Sequence, residues 1–104
     1  MAYRPNSDTI KTHRAAILEI ALRHAAERGY TRITRADIAA EAGVAVGVVN
    51  AAYGTMGQLK RDIMRHAVKR ELLSIIADGL ALREPQALAA SPELRRRALD
   101  HMTQ

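Results

Sequence analysis

The run "DIAAEAGVAVGVVNAAYG", residues 37–54, constrains the fold more than any other part of the chain. Its spacing predicts two short helices that cross at a glycine turn, which is the arrangement of a helix-turn-helix. Five positions meet the steric needs of that motif: Ile38 and Val49, apolar where the helices pack; Ala39, small at their crossing; Gly43 at the turn; and Val44, apolar just after it. A helical hairpin that serves only as core is the alternative.

The segments on the N-terminal side of this run also have helical periodicity. Apolar residues at helical spacing predict a first helix over residues 8–28, ending at Gly29. Thr34 is placed to cap a second helix that begins at Arg35 and ends at Gly43. A third short helix is predicted over residues 46–52.

The C-terminal half predicts two further helices. Thr55 followed by Gln58 forms a capping-box pattern, so a fourth helix is expected from Met56 to about residue 82. Ser91 followed by Pro92 predicts the start of a fifth. No stretch alternates as a β-strand would, and the fold class predicted is all-α, a small bundle of about five helices.

A chain of 104 residues is expected to form a single domain. Within it, we expect a flexible arm over residues 1–7, a helix-turn-helix region over residues 8–56, and C-terminal helices over residues 57–104. Such a length leaves no room for a separate ligand-binding domain, and we predict neither a small-molecule ligand nor a cofactor.

Composition favours a polyanionic partner and excludes several other classes. Lys and Arg number 16 against 11 Asp and Glu, a net charge of +5, which fits double-stranded DNA or a merely basic soluble protein. There is no Cys, and no His has the spacing of a metal ligand, so no metal site is predicted. No catalytic set can be assembled, and we expect no enzyme. Without an apolar segment near the ~20 residues of a membrane span, or a signal peptide, we expect a cytoplasmic protein.

Three segments resemble the TetR family of bacterial transcriptional repressors: "ILEIALRHAAERGYTRIT", "DIAAEAGVAVGVV" and "AYGTMGQL". They are similar to that family's first helix, its helix-turn-helix and the start of its fourth helix, and they cover about residues 14–65. The resemblance implies a DNA-binding repressor whose third helix enters the major groove. Family members usually continue into a large helical domain that binds an inducer and forms the dimer.

Three positions depart from the family pattern. Asn50 stands where the family usually has a Tyr that touches the DNA backbone, and Met56 where a Lys usually contacts a phosphate. Ala45 replaces the usual Ser or Thr cap of the recognition helix. Tight binding then requires phosphate contacts from other residues, because phosphate neutralisation supplies most non-specific affinity.

The third helix offers few polar groups with which to recognise DNA. We expect Gly47 and the alanines to allow a close approach, Val46 or Val48 to touch thymine methyl groups, and Asn50 to meet a base or a phosphate. Arg35 is the strongest remaining candidate for a base or phosphate contact. The predicted DNA-binding residues are Arg4, Arg32, Thr34, Arg35, Ala45, Val46, Gly47, Asn50, Tyr53, Thr55 and Lys60.

The C-terminal helices carry more apolar residues than three small N-terminal helices can cover. We therefore predict a homodimer, with an interface that includes Leu72, Ile76, Leu80, Leu94 and Leu99. The function predicted is a sequence-specific repressor of an inverted-repeat operator, and its small size would suit a plasmid or phage. Two alternatives remain open: an architectural DNA-binding protein of low specificity, and a protein-interaction module built on a helix-turn-helix.

Overall fold

The computed structural model describes the backbone of residues 7–103 and the side chains of residues 13–103. Within residues 7–103 the chain forms helices and connecting turns, and no β-strand. The helices are α1 (Ser7–Arg28), a short 3-10 helix (Tyr30–Arg32), α2 (Arg35–Ala42), α3 (Val46–Ala52), α4 (Met56–Lys69), α5 (Leu73–Ala81), α6 (Pro85–Leu88) and α7 (Pro92–Met102). The predicted all-α fold class is confirmed. Of the predicted arm, residues 1–6 lie outside the described residues, and Ser7 begins α1.

The helix-turn-helix forms through the local signals that predicted it. The Thr34 side chain accepts a hydrogen bond of 3.1 Å from the backbone N–H of Asp37 and so caps α2. Gly43 ends α2 in the left-handed conformation, with φ of 69°, where a glycine carries no steric penalty. The next residue, Val44, donates its N–H to the carbonyl of Ala39 at 3.0 Å, which closes the turn before α3.

The N-terminal core lies where α1 packs against α2, α3 and α4. Ile38 and Val49 are fully buried there, and Ala39 is 3% exposed at the helix crossing. The steric pattern of residues 37–54 therefore corresponds to packing between α2 and α3. His24 is also buried, and its ring nitrogen lies 2.9 Å from a carboxylate oxygen of Glu41, which joins α1 to α2.

The prediction of one long fourth helix over residues 56–82 is wrong. α4 ends at Lys69, and Glu71 takes a positive φ of 57°, which costs a non-glycine residue about 1 kcal/mol. The turn sends α5 back against α1, α4 and α7, where Ile75 and Ile76 become fully buried. Burial of two such side chains contributes roughly 3–6 kcal/mol, more than the turn costs.

The predicted helix end at about residue 82 and the predicted start at Pro92 agree with the structure, which adds one short helix between them. α5 ends at Ala81, and Pro85 then occupies the first turn of the short helix α6. The Ser91 hydroxyl accepts a hydrogen bond of 3.2 Å from the N–H of Leu94 and caps α7, as predicted. α7 packs along α5, which makes the second half of the core.

Candidate nucleic-acid interface

The outer face of α3 consists of small or uncharged side chains. Val46, Gly47 and Asn50 are exposed, and Asn50 lies four residues after Val46 and three after Gly47, so it shares one side of the helix with both. Ala45, just before α3, is exposed as well. The opposite side of α3 is buried, and Val48 belongs to it: its exposure is 9%, which leaves Val46 as the candidate for apolar contact.

Gly47 has no role in packing within the chain. A Cβ placed on it would meet nothing within 4 Å, and its backbone has no positive φ that would demand glycine. Glycine inside a helix is less stable than alanine by about 0.5–1 kcal/mol, so the fold gains nothing from it. Its effect is to leave the surface of α3 low at that point, where another molecule can approach the backbone.

The start of α2 meets α3 through a hydrogen bond between two predicted site residues. The Arg35 guanidinium donates to the side-chain oxygen of Asn50 at 2.8 Å. Among the described residues Arg35 makes no ion pair. Its cation is therefore not neutralised, and it lies at the N-terminus of α2, where the helix dipole disfavours a positive charge. Thr34 beside it is exposed. The structure therefore brings Thr34, Arg35 and Asn50 together at one surface.

The prediction that Tyr53 contacts DNA is wrong, because its side chain lies in the core. Tyr53 is 1% exposed, and its hydroxyl donates to the carboxylate of Asp62 at 2.5 Å. Burial and this hydrogen bond raise the pKa of the Tyr53 hydroxyl. Burial opposes ionisation of Asp62, but the bond from Tyr53 and the nearby Arg65 outweigh it and hold the pKa of Asp62 below its ordinary value. Tyr53 thus anchors the end of α3 to α4.

Arg14 also holds the end of the recognition helix. Its guanidinium donates to the carbonyl of Ala52 at 2.9 Å and lies 4.2 Å from the centre of the Tyr53 ring. The last carbonyls of a helix have no partner inside it, so this bond from α1 satisfies one of them. Arg14 thus has a structural role, in which it joins α1 to the end of α3.

The other predicted contacts are spread around this surface. Arg32 and Thr55 are exposed, and Thr55 caps α4 by accepting from the N–H of Gln58 at 3.0 Å. Lys60 is half-buried, and its ammonium lies over the Tyr30 ring, 5.7 Å from the ring centre. Arg4 is outside the described residues.

A basic groove beside the start of α4 was missed by the sequence reasoning. We use "basic groove" for the open cavity of about 380 Å³ lined by Arg14, Gln58, Arg61, Asp62, Arg65 and Gln86. Arg65 pairs with Asp62, whereas Arg61 makes no ion pair among the described residues. A Cβ placed on Gly57 would lie 3.6 Å from a guanidinium nitrogen of Arg61, so that side chain reaches back toward the first turn of α4. The spacing of residues 58, 61 and 65 along one helix face was the available signal.

Residues 17–63 match the family model described as "Bacterial regulatory proteins, tetR family". These residues form a TetR-family helix-turn-helix DNA-binding domain. No curated protein and no solved structure matches the chain. The match supports a DNA-binding transcription regulator, and the TetR-family domain is a non-enzymatic DNA-binding fold.

The side chains of residues 13–103 bring together no group of three His, Asp or Glu that could hold a metal ion. None of the helices described is long and apolar enough to cross a membrane.

The five predicted dimer residues lie outside the TetR-family domain and form two groups that differ in exposure. Ile76 and Leu94 are 0% and 8% exposed and are packed within the chain's own core, so they are not available to a partner. Leu72 and Leu80 are half-buried, and Leu99 is 50% exposed. The large apolar side chains exposed on the C-terminal helices and their connections are Leu82, Leu88, Leu99 and Met102.

Proposed function

We propose that the protein is a transcriptional repressor that binds an inverted-repeat operator as a homodimer. The observation that carries the proposal is the TetR-family domain with a low, exposed α3 surface beside Arg35, a cation with no acidic partner among the described residues. Repression would follow from occupancy of the operator in the cytoplasm. No small-molecule inducer and no cofactor enter the proposal.

Phosphate contacts are proposed at the two ends of the interface. At one end, Thr34 and the first turn of α2 offer an exposed hydroxyl and backbone N–H groups, with Arg32 close by in sequence. At the other end, Thr55 and the Arg61 guanidinium lie at the first turns of α4. These groups would replace the phosphate anchors that Asn50 and Met56 do not supply, since each neutralised phosphate adds to affinity at low salt.

The proposed dimer uses the apolar surface of α5 to α7. A second open groove is lined by Leu80, Ala81, Arg83, Leu88, Arg95 and Leu99. The Nε of Arg95 is buried there and has no acceptor among the described residues, a state that costs about 1–3 kcal/mol. A second chain that covers Leu88 and Leu99 would bury apolar area and could supply an acceptor for that N–H. Two copies related by symmetry would then present two α3 helices to one operator.

An architectural DNA-binding protein is the second candidate. The exposed face of α3 carries one side chain, Asn50, that can hydrogen-bond to a base edge, while Val46 and Gly47 offer shape alone. A protein that bound mainly through Arg32, Arg35 and Arg61 would hold the phosphate backbone with little preference for sequence.

Selection of bound duplexes from a random DNA library at near-physiological salt separates these functions. An enriched inverted repeat would support the repressor, and its half-site spacing would give the separation of the two α3 helices. Retained DNA without enrichment would support architectural binding and contradict specific repression. If no DNA were retained at low salt, both proposals would fail and a protein-interaction module would be favoured.

A further inference from the structure

We infer that Arg35 and Asn50 act as one cationic unit, richer in hydrogen-bond donors than in acceptors, that selects guanine in the major groove. The inference rests on the proposed function, because it assumes specific binding by α3. It changes the expected role of Asn50, which acting alone would be suited to adenine.

The hydrogen bond between the two side chains identifies which atom of the Asn50 amide Arg35 engages. A guanidinium has donors and no acceptor, so the atom 2.8 Å from Arg35 must be the amide oxygen, as the structure has it. The amide nitrogen keeps both of its N–H donors. Asn50 consequently offers two N–H donors to a ligand, while Arg35 occupies one of the two lone pairs of its oxygen.

Guanine is the base that matches such a unit. Its major-groove edge has two neighbouring acceptors, N7 and O6, and no donor, whereas adenine has one acceptor beside a donor. Pairing of Asn with adenine needs the amide oxygen and nitrogen directed at the same base edge. The Asn50 oxygen already accepts from Arg35, so the unit has one lone pair left for the adenine amino group but several N–H donors for the N7 and O6 acceptors of guanine.

The backbone positions of the pair are fixed by the fold. Arg35 is the first residue of α2, directly after the Thr34 cap, and Asn50 lies in α3, which is packed on α2 through Ile38 and Val49. A hydrogen bond from a charged donor is roughly twice as strong as a neutral one, and it strengthens where DNA excludes water. Asn50 is exposed, so the unit is accessible from the α3 face.

The test compares the operator preferences of three proteins selected on the same random library: the unaltered chain, Arg35→Ala and Asn50→Ala. For the unaltered chain, we expect one guanine in each half-site whose replacement by 7-deazaguanine, which lacks the N7 acceptor, weakens binding about 10-fold. Arg35→Ala releases the Asn50 oxygen, and the preferred base at that position should change from guanine to adenine. Asn50→Ala should leave Arg35 to contact guanine alone, with the preference reduced but not changed.

Arg32→Ala is the matched control, because Arg32 is an exposed cation three residues away and makes no hydrogen bond with Asn50 in the described chain. It should weaken binding to all sequences alike and leave the preferred base at every position unchanged. The three substituted side chains are at the surface or half-exposed, so the variants should fold, and thermal melting checks that they do.

Two results would overturn the inference while leaving the proposed function intact. One is an enriched inverted repeat with adenine at the position that Asn50→Ala affects. The other is a guanine preference that Arg35→Ala and Arg32→Ala alter to the same extent. A library that yields no enriched sequence with the unaltered chain would refute the proposed function, and the inference with it.

Discussion

Replacement of Gly47 by alanine should make the protein more stable and make it bind DNA less well. A Cβ at this position meets nothing within 4 Å, and the backbone needs no positive φ, so the fold accommodates the methyl group without strain. If α3 approaches the floor of the major groove as proposed, that methyl group lies between the helix and the bases.

The size of each effect follows from the position of Gly47. It is the second residue of α3, where the gain in helix stability over glycine is at the lower end of its range, about 0.5 kcal/mol. In a domain of this size that gain raises the melting temperature by about 2–4 °C. An extra methyl group in a close-packed contact costs about 1–3 kcal/mol, which weakens specific binding roughly 5- to 150-fold.

Gly79→Ala is the matched control, with the opposite sign for stability. A Cβ there would lie 2.5 Å from the Cε of Met64 and 2.8 Å from the Cβ of Ala87, so helices α4, α5 and α6 would have to move apart. We expect a loss of about 1–3 kcal/mol in the free energy of unfolding. DNA affinity measured below its melting temperature should be unchanged, because Gly79 is buried in α5, which packs on α4, α6 and α7 and is not part of the exposed α3 face.

Calorimetry and fluorescence anisotropy with the selected operator measure the two quantities. If Gly47→Ala binds the operator as tightly as the unaltered chain, the close approach of α3 to the groove is refuted. If it melts at a lower temperature, the packing argument for an open surface at Gly47 is wrong.

Three other predictions concern the core, the basic groove and the dimer. Tyr53→Phe should lower the free energy of unfolding in urea by about 1–3 kcal/mol, since Asp62 stays buried with one of its two donors removed and only Arg65 left. Because the folded pKa of Asp62 lies below its ordinary 3.8, the stabilising effect of its ionised form is complete above that pH and is lost as the pH falls further. The hydrogen bond from Tyr53 helps to lower this pKa, so the free energy of unfolding should fall less steeply from pH 5 to 2.5 for Tyr53→Phe than for the unaltered chain. Equal slopes would contradict this. Arg61→Ala should reduce the slope of log affinity against log salt by about 0.9, and Arg96→Ala should not; equal slopes for both would exclude Arg61 from the interface. Leu99→Glu should convert a dimer to a monomer in sedimentation at tens of micromolar, whereas a monomeric unaltered chain would refute the dimer.

The local part of the site was predictable because it depends on short-range sterics. Only a few residue types fit a cap, a left-handed turn or a tight helix crossing, so Thr34, Gly43 and Ala39 indicated the helix-turn-helix directly. The same holds for Ser91 and Pro92 at the start of α7. These signals depend on neighbours in sequence and need no knowledge of the rest of the fold.

Contacts between distant segments were not predictable in the same way. Tyr53 was predicted to contact DNA from its place after α3, but Asp62 and Arg14 contact it from α4 and α1. The basic groove likewise depends on Arg14 and Gln86, which are far apart in sequence and meet only when α1, α4 and α6 pack.

The sequence by itself determined the all-α class, the helix-turn-helix and the family resemblance, since periodicity, caps and a glycine turn are encoded within a few residues. Tertiary structure alone decided that the helix predicted over residues 56–82 is interrupted near Glu71, a residue that does not favour a positive φ. Burial of Ile75 and Ile76 against other helices outweighs that local strain. The tertiary structure also decided the hydrogen bond between Arg35 and Asn50, because the packing of the apolar faces of two helices determines which of their polar groups meet.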